Sequence, residues 1–228
     1  MYENNLKFSM FLFSMSGLHP EKMGSRFQNF LLLLAISSTI TALGLTVFLF
    51  ISTENMSLTD VTGCMESVLL IAHGLIKLVN LYFQRFNIQK LFKQLPHFWK
   101  IEQVEDEATK ASCLGTIRTL KILTYVFVIT AGSSVTAIAL LPILNKKLVF
   151  TSYMPEGIPY NCIFALHAYA YISGVFNTII GTDFLYITFV LLIKLQLQIL
   201  NYNIGNLFPV VPDQDEKALR QRLKHWVD

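Results

Sequence analysis

From Phe27 to Thr53 the chain runs for 27 residues without an Asp, Glu, Lys or Arg. A second such block, Ile122 to Asn145, has 24 residues, and from Gly157 to Ile193 only Asp183 interrupts the run. A bilayer core of roughly 30 Å is crossed by about 20 apolar helical residues. Blocks of this length are therefore membrane-spanning candidates. Charged residues make up 14% of the chain and hydrophobic ones 53%, against roughly 25% charged in an ordinary globular domain. A soluble enzyme, a disordered tail and a disulfide-rich secreted domain are excluded by that distribution.

Four spans are predicted, at about residues 30–51, 61–83, 122–144 and 160–193. The second is the weakest and carries Glu66, His73 and Lys77. The fourth has 34 residues, about 51 Å of helix at 1.5 Å per residue, so one end should leave the bilayer. Lys and Arg concentrate in cytoplasmic loops. Fifteen of them lie in the N-terminal segment, the loop from Gln84 to Lys121 and the tail, whereas the loop from Asn145 to Pro159 holds two, Lys146 and Lys147, and the loop from Ser52 to Asp60 none. The reading is an all-α membrane protein with four visible transmembrane helices and a cytosolic N-terminus. The sequon Asn55-Met56-Ser57 falls in a loop placed outside and makes Asn55 a glycosylation candidate.

Residues 1–29 read as a cytosolic or interfacial segment, with Lys7 to Leu18 lying on the membrane and ending at the turn Gly17-Leu18-His19-Pro20. Residues 30–200 form the transmembrane region, and residues 201–228 a cytosolic loop followed by a helix. That helix begins at Asp213, with Glu216 as a capping-box-like partner. Its Leu219, Leu223 and Val227 share one face, which calls for an apolar partner. The chain therefore reads as the N-terminal part of a longer membrane protein.

Ionisable groups at membrane depth are functional candidates by default, because insertion costs roughly 2.5–3.5 kcal/mol. Asp183 lies in the inner half of the fourth span, and either pairs with Lys77 or a backbone donor to hold two helices together, or handles a ligand or ion. Lys77 either pairs or snorkels to the headgroups. His73 and His167 stand on different spans with no second ligand at i+3 or i+4, which is not a metal pattern. Phe164, His167 and Tyr171 follow the three-to-four spacing of one helical face. Such a face lines a small-molecule cavity or anchors the helix by aromatic packing, and both readings stay open. The small residues Gly132, Ser133, Ser134, Thr136 and Ala137 on the third span permit close helix approach. Cys64 and Cys162 sit towards the same outer face, where a disulfide between them is an open alternative to two buried thiols. There is no phosphate loop, GxSxG, HExxH or paired carboxylate, and no cofactor is expected. The net charge of +3 gives no footprint for nucleic acid.

Several of these residues resemble the insect odorant receptors. Met15-Ser16-Gly17-Leu18-His19-Pro20 is similar to the lead-in to their first span, with His where Trp is usual. Lys77 matches a Lys frequent in their second span. Thr151-Ser152-Tyr153-Met154-Pro155 through Ile158-Pro159-Tyr160-Asn161 resembles their second extracellular loop, and Thr182-Asp183-Phe184-Leu185-Tyr186-Ile187 with Gln196, Gln198 and Ile199 resembles the end of their fourth span. Leu219 to Trp226 looks like the helix before their fifth. The resemblance implies the first part of a seven-helix bundle with its N-terminus inside, in a multi-pass protein of the cell membrane of sensory neuron dendrites. It further implies a subunit that assembles with a shared co-receptor as a heterotetramer, forming an odorant-gated cation channel that is opened by small volatile odorants. The pocket would lie in the outer halves of the spans, where His73, Phe164, His167 and Tyr171 are the candidates here; the pore would come from the last three spans, which this chain does not show. The alternatives are an insect gustatory receptor and a ligand-free four-span scaffold or accessory protein.

Overall fold

The first charge-free block folds as a single helix, because nothing in it breaks the 3.6-residue repeat. The structure, a computed structural model, describes residues 3–19, 22, 25–54, 56–98, 101–144 and 148–207. Asn55 and the expected amphipathic helix after Asp213 lie outside the described residues. A short helix α1 (Glu3–Met15) precedes α2 (Arg26–Ser52), α3 (Leu58–Gln94) and α4 (Glu107–Leu144). The fourth span is α5 (Tyr160–Tyr169), a π-helical segment (Ala170–Phe176) and α6 (Asn177–Leu207), which follow one another without a break. Four of these helical stretches are long and apolar enough to cross a membrane.

The packing is inverted relative to a water-soluble bundle. The buried stripe of α2 is Gln28, Leu32, Ala35, Thr39, Ala42 and Thr46, mostly small and partly polar residues that let a neighbour's backbone approach. Its outward face carries Phe27, Phe30, Leu33, Phe48 and Ile51, which suit lipid tails. The buried hydroxyls satisfy themselves locally: Thr39 Oγ1 donates to the Ala35 carbonyl at 2.6 Å and Thr46 Oγ1 to that of Ala42 at 2.9 Å. On α3 the buried stripe is Cys64, Ser67, Ile71, Gly74, Leu78 and Leu81.

The π segment is where these stripes meet. Gly174 is pressed against Ala35 and Thr39 of α2, and Gly74 of α3 is pressed against Val175, so that a Cβ built at Gly74 would lie 2.8 Å from the Val175 Cα. Only the missing side chains allow these contacts.

Three expectations need correction. The helices run well past the predicted spans: α3 continues to Gln94 and α4 begins at Glu107. Bilayer thickness sets the length of the apolar run, whereas a helix stops only at a breaker, and here Pro96 follows α3. The loop expected over Gln84–Lys121 is consequently mostly helix. Second, the segment expected to lie on the membrane is packed into the bundle. Ser9, Leu12, Phe13 and Ser16 of the N-terminal segment are buried, and Phe13 lies against Gly181 while Phe8 meets Phe184 edge-on at 5.3 Å. Short apolar segments have two ways to leave water, and this one uses α6 as its cover. Gly17, at φ +75, makes the turn that returns the chain into α2, a conformation favourable only to glycine. Third, the fourth span is interrupted by the π segment rather than regular throughout.

The half of α4 nearest Glu107 packs on α6 through Cys113, Leu195 and Ile199. Gln198 ties the two helices, accepting from Thr116 Oγ1 at 3.3 Å and donating to Ser112 Oγ at 2.9 Å. Its spanning half, by contrast, leaves Tyr125, Ile129, Val135 and Leu144 exposed.

Candidate functional site

The chain from 148 to 159 folds down onto the ends of α2 and α3. The Thr151 amide donates to Ser67 Oγ at 3.1 Å and the Tyr153 amide to the Leu45 carbonyl at 3.1 Å, while Tyr153 stacks edge-on against Phe48 at 4.8 Å. This drives Phe150 inward, to 2% exposure. Its ring sits 5.6 Å from that of His167 and 5.9 Å from that of Tyr171, and Tyr171 in turn stacks on Phe176 at 5.9 Å. Ala42, Ile71, Ala170 and Val175 complete the apolar surroundings.

Polar atoms enter this aromatic cluster at few points. His167 is fully buried, and its Nε2 shares a hydrogen bond with Ser152 Oγ at 3.3 Å. Its Nδ1 has no partner. The buried Asn177 Nδ2, also without a partner, belongs to a separate point of the span, ten residues or about 15 Å further along. The Tyr171 hydroxyl lies towards Ser134 of α4, one of the small residues on that span. A buried polar group without a partner costs roughly 1–3 kcal/mol, so the His167 Nδ1 marks unused polar capacity within an apolar wall. The arrangement suits a small ligand held by dispersion and one or two hydrogen bonds. It offers neither an activated nucleophile nor an acid–base pair.

The four residues proposed from sequence are thus dispersed. His167 and Tyr171 converge on Phe150. Phe164 stacks on Tyr160 at 6.0 Å instead, and His73 is exposed on α3, off the buried stripe that carries Ile71 and Gly74. Nothing in the spacing of the chain marks Phe150 or Ser152 as site residues, although an apolar Val149-Phe150 pair between Lys147 and Pro155 is unusual in a loop and signals an inward fold.

Below the aromatic cluster, Lys77 Nζ of α3 and Asp183 Oδ1 of α6 form an ion pair at 2.5 Å. At the π segment between the two sites, the Ser173 carbonyl accepts from Ser16 Oγ at 2.6 Å and from Thr178 Oγ1 at 3.3 Å. π-helical turns often occur at functional positions. Cys64 and Cys162 are both free thiols, the first buried against the Thr151 carbonyl and the second exposed.

The buried aromatic cluster lies within a multi-pass helical membrane protein. The sequence matches the family described as "7tm Odorant receptor" over residues 57–228. The chain belongs to the odorant receptor family. No curated protein matches the chain, and neither does any solved structure.

Proposed function

We propose that this chain is the ligand-tuning subunit of an odorant-gated cation channel, assembled with a co-receptor subunit in the membrane of a sensory neuron and orientated with its N-terminus in the cytosol. A small volatile molecule binds beside His167 and Tyr171, in the half of the bundle that the 148–159 segment covers. The observation that carries this reading is the buried, unpartnered His167 Nδ1 at an otherwise aromatic wall. Family membership supports the receptor role.

The test is current recording from cells expressing the full-length receptor with its co-receptor, using a panel of volatiles. Tyr171→Ala and His167→Phe should shift the response profile at unchanged surface expression, with Phe164→Ala weaker and His73→Ala silent. A change in expression alone would leave these residues as packing, and the ligand site would have to be sought elsewhere. A glycan on Asn55 in insect cells supports the orientation; a cytosolic label reporting from that loop overturns it.

A further inference from the structure

A groove of about 450 Å³ runs between α2 and α3 on the outer surface of the bundle, lined by Asn29, Leu32, Leu33, Ile36, Tyr82 and Arg85. Its lining is graded. Leu32 forms the floor, Leu33 and Ile36 form one wall, and the polar Asn29 and Arg85 stand together at the end where α2 begins. That end lies at the edge of the charge-free block, where an apolar run meets the headgroup layer.

Arg85 is fixed there by its own neighbours. Its guanidinium carbon sits 4.2 Å over the Tyr82 ring and 4.9 Å from that of Phe86. The aromatic faces orient the planar fork but leave its N–H donors without an anion. No carboxylate pairs with Arg85 among the described residues. The sequence explains this: α2 carries no Asp or Glu, and none occurs from Ser67 to Ile101. Arg26, one turn before Asn29, adds a second positive charge on the neighbouring surface, so the mouth of the groove is cationic.

We infer that this groove is a binding site for an anionic phospholipid, whose phosphate is held by Arg85 and Asn29 and whose acyl chain lies along Leu33, Ile36 and Tyr82. Arg is the side chain best matched to phosphate geometry, and the apolar wall continues from it in the direction an acyl chain takes into the bilayer. The graded lining and the uncompensated charge select an anionic lipid over a zwitterionic one. A second groove, along α6 beside Lys194, has a flexible point charge with no aromatic support and serves as the control. The inference is independent of the odorant reading.

The experiment uses the full chain, with Trp99 and Trp226 changed to Phe and Tyr82→Trp introduced as reporter, reconstituted in bilayers. Brominated phosphatidylserine should quench the reporter more strongly than brominated phosphatidylcholine at equal mole fraction. The expected ratio of association constants is about fivefold, the equivalent of ~1 kcal/mol for one basic side chain at an anionic surface. Arg85→Gln should abolish the preference, Arg85→Lys should retain part of it, and Lys194→Gln should leave it intact. Equal quenching by the two lipids, measured before any change at Arg85, overturns the inference. So does a preference that survives Arg85→Gln, which would assign the charge effect to the general surface.

Discussion

Ser16 donates its hydroxyl proton to the carbonyl of Ser173 at 2.6 Å, across 157 residues of sequence. The acceptor is a carbonyl of the π turn, and the donor stands at the end of α1. The N-terminal segment is therefore latched to the irregular point of the fourth span. Ser16→Ala removes this hydrogen bond to a buried carbonyl, and should lower stability by about 1–2 kcal/mol. Thermal unfolding of the purified chain reads this directly. A neutral Ser16→Ala would mean that Thr178 suffices and that the latch contributes no stability.

Lys77 and Asp183 join α3 to α6, with side chains 21% and 50% exposed. Screening at that exposure limits what the pair contributes, so the coupling expected from a double-mutant cycle is about 0.5–2 kcal/mol. Lys77→Met and Asp183→Asn should each destabilise, and the double variant should recover part of the loss. Strictly additive effects would show that the two charges do not depend on each other.

Gly174 admits no side chain because Thr39 and Ala35 of α2 fill the space. Gly174→Ala should cost about 1–3 kcal/mol by overpacking, and Thr39→Ala in the same chain should restore much of it by removing the obstructing hydroxyl. Gly132→Ala, where nothing lies within 4 Å, is expected to be tolerated. Folding yield and unfolding temperature of the three variants separate the outcomes.

Asp106 caps α4, accepting from the Thr109 amide at 2.7 Å. Hydrogen bonding from Thr109, first through its side chain and then through its backbone, holds the carboxyl below its usual 3.8. A depressed pKa means that the capping contribution is fully present above the unfolded value and is lost as pH falls through the folded one. Amide exchange at Thr109 and Lys110 should therefore quicken, relative to the intrinsic rate, as pH drops below about 4. Asp106→Asn should flatten that dependence. A wild-type profile already flat would place the cap elsewhere.

The charge-free blocks announced the spans because membrane crossing is a property of composition over about 20 residues, and composition is visible without coordinates. The Lys77–Asp183 contact could be framed in advance as one of two readings, since unpaired charges at that depth are costly. The π segment could not, because Ala170-Tyr171-Ile172-Ser173-Gly174-Val175-Phe176 reads as ordinary helix. Its irregularity follows from Gly174 meeting Thr39 and Ser16 meeting Ser173, contacts between residues far apart in sequence. The same holds for the site: the spacing of His167 and Tyr171 was legible as one face, but the ring that brings them together, Phe150, comes from a loop. His73 was drawn in by its polarity within a span, and its helical phase, one residue off the buried Gly74, turns it outward.

The order of synthesis gives the fourth span a particular place in biogenesis. Helices α1, α2 and α3 leave the ribosome well before the segment from Tyr160 to Leu207 that each of them touches. Until it arrives, the contacts of Ala35 and Thr39 with Gly174, of Gly74 with Val175 and of Phe13 with Gly181 cannot form. Insertion of the first three helices thus produces a waiting intermediate, whose lifetime is the translation time of about a hundred further residues at roughly 5–20 residues per second. That interval is when a membrane-embedded chaperone would have access to faces that the finished bundle hides.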